Sequence, residues 1–322
     1  MLRTIGEHAA AGVRRYRDPD SFAAALLGGE VEYLPMPGQP FDATLRVLQV
    51  GDVVMQHAAD SAHVTRAAIQ PGLSAVIVPL HCSGRMPVTN GTTIGAQDAI
   101  LVPGGMEFIV ACPDPQVWGS FALPTAMAEE LADLSRDRHR DAMPGVLDMT
   151  PEIFGELSAA FDAAGRLAHE APSALIAPGC AEGLAASLKE LVASALAPGL
   201  GTEPRGRAVR EAMRVVRAAD EYLRHNISHP IYRDDLCGAI GVSRRKLHDA
   251  FVSVVGMTPP AYLKLRRLVL ARRALRAGND GERLVKSVAL SHGFWHLGHF
   301  SKDYRELFGE LPSQTAAATH PS

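Results

Sequence analysis

Apolar and polar positions change rhythm three times along this chain. From about residue 31 to 123, short runs rich in valine, isoleucine and leucine alternate with Gly, Pro, Asn and Asp, the pattern of strands closed by turns. It predicts strands at 31–36, 43–50, 52–58, 62–69, 73–80, 86–94, 98–102, 107–112 and 117–123. Period-two alternation is clearest in Thr44-Leu45-Arg46-Val47-Leu48-Gln49-Val50, and Asn90-Gly91 is a strong hairpin signal. Asp18-Pro19-Asp20 through Leu27, stopped by Gly28-Gly29, predicts one short helix ahead of the strands. So many short strands predict a barrel or jelly roll.

From about 125 to 196 the pattern becomes helical, with segments predicted at 125–138, 151–169 and 180–196, Thr150 capping the second. Leu184, Leu188, Leu191 and Leu196 make an apolar stripe that serves equally for packing on the barrel or for pairing with a second chain. Ala197 to Gly206 is rich in proline and glycine and reads as a linker. It separates residues 1–196, a β-rich domain with its helical segment, from residues 207–322.

The third rhythm occurs twice. Leu236-Cys237, Gly241-Val242-Ser243, Leu247, Phe251, Gly256 and Pro259 are echoed by Val288-Ala289, Gly293-Phe294, Phe300, Tyr304, Gly309 and Pro312. The offset is 52 residues at Cys237 and Gly241 and 53 from Leu247 onward, so the second copy has one extra residue in its turn. In each copy a small residue allows close helix approach, a glycine ends the first helix, and an i, i+4 apolar pair holds the second helix against it. Gly256 and Gly309 then stop the second helix, and Pro259 and Pro312 prevent its continuation. Each copy predicts a helix-turn-helix, at about 231–255 and 282–308, whose second helix can enter a DNA major groove. A basic amphipathic helix is predicted at 207–226 and a connecting helix from Pro260 to about Gly278. The connecting helix has Tyr262, Leu265 and Leu275 on its packed side, and Lys264, Arg266, Arg267, Arg272, Arg273 and Arg276 supplying charge.

Residues 215–315 resemble the DNA-binding domain of the arabinose-regulator (AraC/XylS-type) transcription factors. The resemblance is carried by the repeated positions together with Met257-Thr258, Tyr262-Leu263, Arg267, Ala271, Ser301, Phe308 and Ser313. Cys237 stands where alanine is usual, one small residue for another. The resemblance implies an α+β chain of two domains: an N-terminal β-barrel or jelly roll with packed helices, and a C-terminal all-α double helix-turn-helix. It implies a sequence-specific, effector-responsive transcriptional activator in the cytoplasm. The implied partners are double-stranded promoter DNA, RNA polymerase, an unidentified small-molecule effector and a second copy in a homodimer. It also implies that Arg245, His248 and Asp249 face bases.

Composition fits this reading. Apolar residues are 47% and charged residues 21% of 322, ordinary for a soluble globular protein. No run is long enough to span a bilayer, and the start lacks the apolar run of a secretory signal. The net charge of −3 hides an asymmetry: Arg205 to Pro312 carries 20 Lys/Arg against 11 Asp/Glu, and the remainder 12 against 24. A basic module on an acidic one is the footprint of a phosphate binder.

On the first recognition helix Leu247 and Phe251 turn inward, leaving Arg244, Arg245, His248 and Asp249 outward and Lys246 to one side. Arginine can grip a guanine edge with two hydrogen bonds. On the second, Phe300 and Tyr304 turn inward, leaving His296, His299, Lys302 and Arg305 toward DNA, with Leu297 placed to meet a thymine methyl and Gly298 to permit close approach.

No catalytic constellation, cofactor motif or metal spacing emerges. His57, His63 and His81 lack ligand spacing, and Cys82, Cys112, Cys180 and Cys237 are scattered, as suits reduced thiols. Arg46, Arg85 and Trp118 are the side chains that suggest an effector site. Two rival readings are a cupin-like metal enzyme or small-molecule binder with a non-functional helical appendage, and a dimeric adaptor that needs no effector.

Overall fold

The computed structural model describes residues 13–131, 145–170, 178–197, 207–226, 233–277 and 285–318. All of the expected linker but Ala197, and residues 132–138 of an expected helix, lie outside them. The N-terminal part runs β1 (Arg14–Tyr16), α1 (Pro19–Ala25), β2 (Gly29–Pro35), β3 (Ala43–Val50), β4 (Val53–Asp60), β5 (His63–Ile69) and β6 (Leu73–Cys82). It continues with β7 (Val88–Thr89), β8 (Thr92–Thr93), β9 (Asp98–Val102), β10 (Glu107–Cys112) and β11 (Gln116–Pro124). Then come α2 (Thr125–Leu131), β12 (Gly145–Asp148), α3 (Pro151–Glu170) and α4 (Pro178–Leu196). The C-terminal part is helical: α5 (Arg207–Asn226), α6 (Arg233–Ile240), α7 (Arg244–Val255), α8 (Pro259–Arg276), α9 (Val285–Ser291), α10 (Leu297–Phe308) and α11 (Pro312–Ala317).

Every expected strand is present. The run at 86–94 folds into the hairpin β7–β8, where Asn90 and Gly91 both have positive φ (50° and 82°), as a two-residue turn between twisted strands demands. Strands β1 and β12, of three and four residues, are too short to display a period and were not anticipated.

Two antiparallel sheets form a sandwich. One has seven strands in the order β1-β3-β4-β11-β6-β9-β12, the other five in the order β2-β5-β10-β7-β8. Alternate residues of each strand face inward between the sheets, and their neighbours face out. Helices cover both outer faces, giving four layers. Over the seven-stranded sheet, Val53, Met55, Val76, Val78, Phe121 and Leu123 pack with residues of α2, α3 and α4. The leucine stripe of α4 belongs to this core: Leu188 and Leu196 are buried in it, and Leu184 and Leu191 pack against it. The approach is close at Gly119, where a Cβ would stand 2.3 Å from the Phe161 ring. Helix α1 closes one end, inserting Phe22 against Tyr33, 5.0 Å between ring centroids.

The outer face of the five-stranded sheet is covered by the C-terminal helices. Leu34, Val64, Ile109 and Ala111 share one apolar cluster with Met213, Val216, Phe251, Val254 and Tyr262. A Cβ on Gly91 would meet the Val254 side chain at 3.4 Å, so the Asn90-Gly91 turn forms a foot under α7. The two halves of the chain therefore share a core as well as a boundary.

Candidate nucleic-acid interface and the cavity behind it

Both helix-turn-helix units form as the repeat anticipates. Gly241 and Gly293 end α6 and α9 with φ of 67° and 78°, and Gly256 and Gly309 cap α7 and α10 in the left-handed region. That conformation costs a side-chain-bearing residue about 1 kcal/mol or more. Ser243 starts α7 by accepting a hydrogen bond from the Lys246 amide, 3.2 Å away. Phe251 stacks edge-on against Tyr262 of α8, and the Tyr304 hydroxyl donates to Thr315 Oγ1 of α11 at 2.8 Å, which ties each recognition helix to a neighbour.

Arg244, Arg245, His248 and Asp249 are all exposed on α7. Arg245, its side chain 91% exposed, stands 3.6 Å from Asp249, one helical turn on. The two side chains form an exposed i, i+4 pair of opposite charge. Arg244 is bonded to Asp234 of α6. Lys246 turns aside, 2.5 Å from Glu211 of α5. Hydrogen bonds from Arg214 and Lys246 hold the Glu211 carboxyl down at about 2.

On α10, Gly298, His299, Lys302 and Arg305 are exposed. His296 occupies the position just before the helix, its ring 5.7 Å from that of His299. Lys302 lies 3.8 Å from Glu306. Leu297 departs from expectation: it packs against the apolar cluster, because the helix begins at this residue and turns its side chain back onto the core. Trp295 is 62% exposed at the turn leading into α10. An exposed tryptophan beside two histidines is a signal the sequence carried.

The charge of α8 also departs from expectation. Arg266, Arg272, Arg273 and Arg276 face the acidic N-terminal part. Arg266 donates to Glu32 at 2.5 Å, Arg273 to Glu32 at 2.9 Å and to Asp20 at 2.6 Å. Arg272 and Arg276 reach Asp18 at 2.7 and 2.6 Å. Arg66 of β5 bonds to Glu107 and to Asp220 of α5, which also receives the Tyr262 hydroxyl at 2.7 Å. Burial alone would raise Glu32; Arg266 and Arg273 outweigh it and hold its carboxyl below the usual value. Lys264 pairs with Asp303, and Arg267 lies against Gly293. The charge asymmetry is thus partly complementarity between the halves.

Between the sheets lies a cavity of about 100 Å³. Val31, Ala67, Ile77, Ile100, Phe108 and Val110 form apolar walls, and Tyr33, His63, Thr65 and Trp118 a polar end. Behind that end Asp60 is buried, accepting from Trp118 Nε1 at 2.8 Å and from the Tyr33 hydroxyl at 3.1 Å. Of the three side chains suggested for an effector, only Trp118 lines this space. Arg46 lies outside against Gly165 of α3, and Arg85 is exposed and bonded to Asp114. The histidines are dispersed too: His63 faces inward, His57 packs on Phe161 and His81 is exposed. Among the described residues no group of three His, Cys, Asp or Glu is placed to hold a metal ion. Nor is any described helix long and apolar enough to cross a membrane.

A family model described as a helix-turn-helix domain matches residues 236–318. The XylDLEGF operon transcriptional activator of Pseudomonas putida is 38% identical over 102 residues, 32% of this chain and 30% of that protein. The solved structure of a probable AraC family transcriptional regulator from Rhodopseudomonas palustris is 39% identical, with TM-score 0.31, covering 33% of this chain and 98% of that one. An AraC-type DNA-binding domain protein from Chromobacterium violaceum is 30% identical, with TM-score 0.31, covering 35% and 99%. The match to the P. putida activator thus spans about a third of that relative's length.

Proposed function

The chain belongs to the AraC/XylS-type family of DNA-binding transcriptional regulators, and we propose that it is an effector-responsive activator acting in the cytoplasm. Its DNA contacts are Arg245 and His248 for bases, with Asp249 orienting Arg245, and Arg244, His296, His299, Lys302 and Arg305 completing the surface. Residues 1–196 form the sensing domain, 197–206 the linker and 207–322 the DNA-binding domain.

The observation that carries the reading is the pair of recognition helices, α7 and α10, joined by the 18-residue helix α8. Eighteen residues span about 27 Å. Successive major grooves on one face of DNA repeat every ~34–36 Å, so modest bending lets both helices bind on a single chain. Activation is the role printed in the name of the P. putida relative, and RNA polymerase is the partner such a role would need. A homodimer would use surfaces other than the α4 leucines, which the core already occupies.

The sensing route is the five-stranded sheet. Thr65 and Tyr33 face the cavity, while Arg66, Glu32 and Val64, their neighbours in sequence, hold the helical domain. A ligand that moves β5 or β2 moves both faces.

Selection of the purified chain against a random duplex pool tests the DNA reading. Two boxes about one helical turn apart support two reading helices. One short box restricts base reading to α7, and no enrichment at low salt overturns the proposal.

A further inference from the structure

We infer that the cavity between the sheets takes a small, uncharged, largely apolar molecule carrying one hydroxyl, and excludes carboxylates. This rests on the reading of that cavity as the effector site, and names the chemistry it accepts.

Size comes first. A cavity of about 100 Å³ is somewhat smaller than the ~150 Å³ space that holds benzene, so the occupant is of one-ring size. Charge is decided by the lining, which contains no lysine or arginine. An anion there would shed its water with no lysine or arginine among the described lining residues to replace it. It would also lie near Asp60, a buried carboxyl whose Oδ1 has no hydrogen-bond partner.

Orientation is decided by the polar end. Thr65 Oγ1 is buried without a partner, and the residue is only 7% exposed. His63 Nδ1 donates to the Ser61 carbonyl at 2.8 Å and lies 3.7 Å from Asp60 Oδ1, so that nitrogen is engaged. Trp118 Nε1 and the Tyr33 hydroxyl are already committed to Asp60. The Thr65 hydroxyl can both donate and accept, and another hydroxyl matches it in either role. A hydroxyl on an apolar ring satisfies Thr65 while its body fills the space among Ile77, Ile100 and Phe108.

Three probes of similar size separate the possibilities: p-cresol, toluene and benzoate, titrated into the full chain at pH 7.5. The chain has two tryptophans, so Trp295→Phe leaves Trp118 as the only indole reporter, on the cavity wall. Saturable quenching by p-cresol is expected, with toluene about tenfold weaker for want of one hydrogen bond and benzoate silent. Thr65→Val, which keeps the shape, should reduce the preference for p-cresol over toluene to below about threefold. Equal binding of toluene and p-cresol, binding of benzoate as tight as p-cresol, or no binding by any probe would overturn the inference. DNA affinity of the unsubstituted chain, measured with each probe, tests the effector reading separately. Bound p-cresol without any change in DNA affinity sinks that reading and leaves the ligand class standing. A shift caused by benzoate and not by p-cresol does the reverse.

Discussion

Arg266 and Glu32 lie 234 residues apart in the chain and meet at 2.5 Å, with the arginine side chain only 3% exposed. Glu32 receives Arg224 and Arg273 as well, at 3.0 and 2.9 Å. One carboxylate of the sandwich therefore anchors three arginines of the helical domain. A buried ion pair adds little over a well-packed apolar pair, yet removing one member leaves the other charge stranded.

Glu32→Gln is therefore expected to lower stability by about 2–3 kcal/mol, under the ~3–5 kcal/mol of a fully orphaned pair, because Asp220 remains 3.4 Å from Arg266. Thermal unfolding of the full chain checks this. An unchanged transition would mean the domains are held by the apolar cluster alone.

The same clamp sets an acid limit. Glu32 and Asp18 both have carboxyl pKa values below their ordinary 4.5 and 3.8: burial opposes the shift, and the arginines around them impose it. Their contribution is complete above those ordinary values and is lost as the pH falls through the lowered ones. Urea unfolding between pH 6 and 3 should show the unsubstituted chain losing more stability than Glu32→Gln. Parallel curves would refute the assignment.

Asp60 titrates with the opposite sign. Burial raises its pKa above 3.8, against the pull of His63, Trp118 and Tyr33. The folded chain keeps this proton longer than the unfolded chain, so stability falls as pH rises above 3.8. Asp60→Asn keeps an acceptor for Trp118 and Tyr33 and removes the titration. Its urea midpoint, relative to the unsubstituted chain, should improve as the pH rises from below 3.8 to 8.

At the DNA surface, Arg245→Ala is expected to cost about 1–3 kcal/mol on the selected site and to relax preference at one base position. Equilibrium binding to selected and random duplexes measures both. Equal loss on the two would make Arg245 a phosphate contact.

Lys302→Ala and Arg305→Ala should weaken selected and random DNA alike. Each should reduce the slope of log affinity against log salt by about one, the mark of a lost phosphate contact. A change in base preference without a change in slope would move them into the groove.

Much of this molecule was legible beforehand because local signals and global fold agree. Alternation and turn residues located the strands, and the doubled glycine–apolar pattern located α6–α7 and α9–α10. The interface between the halves was not legible. Arg266, Arg272, Arg273 and Arg276 read the same in sequence whether they meet phosphates or carboxylates, and only the fold brings Asp18, Asp20 and Glu32 to them. The α4 stripe was ambiguous for a similar reason, since an apolar face does not state what covers it. The cavity was hidden because Tyr33, His63, Thr65 and Trp118 come from separate strands and share no spacing.

The strand period gives the five-stranded sheet a further property. His63, Thr65 and Ala67 look into the cavity, while Val64 and Arg66 between them look toward the helices. Point substitutions can therefore alter what the chain senses and leave the domain contact in place. Inserting or deleting one residue in β5 would exchange the two sets. Change in this lineage is open to replacement along β5 and closed to a shift in its length.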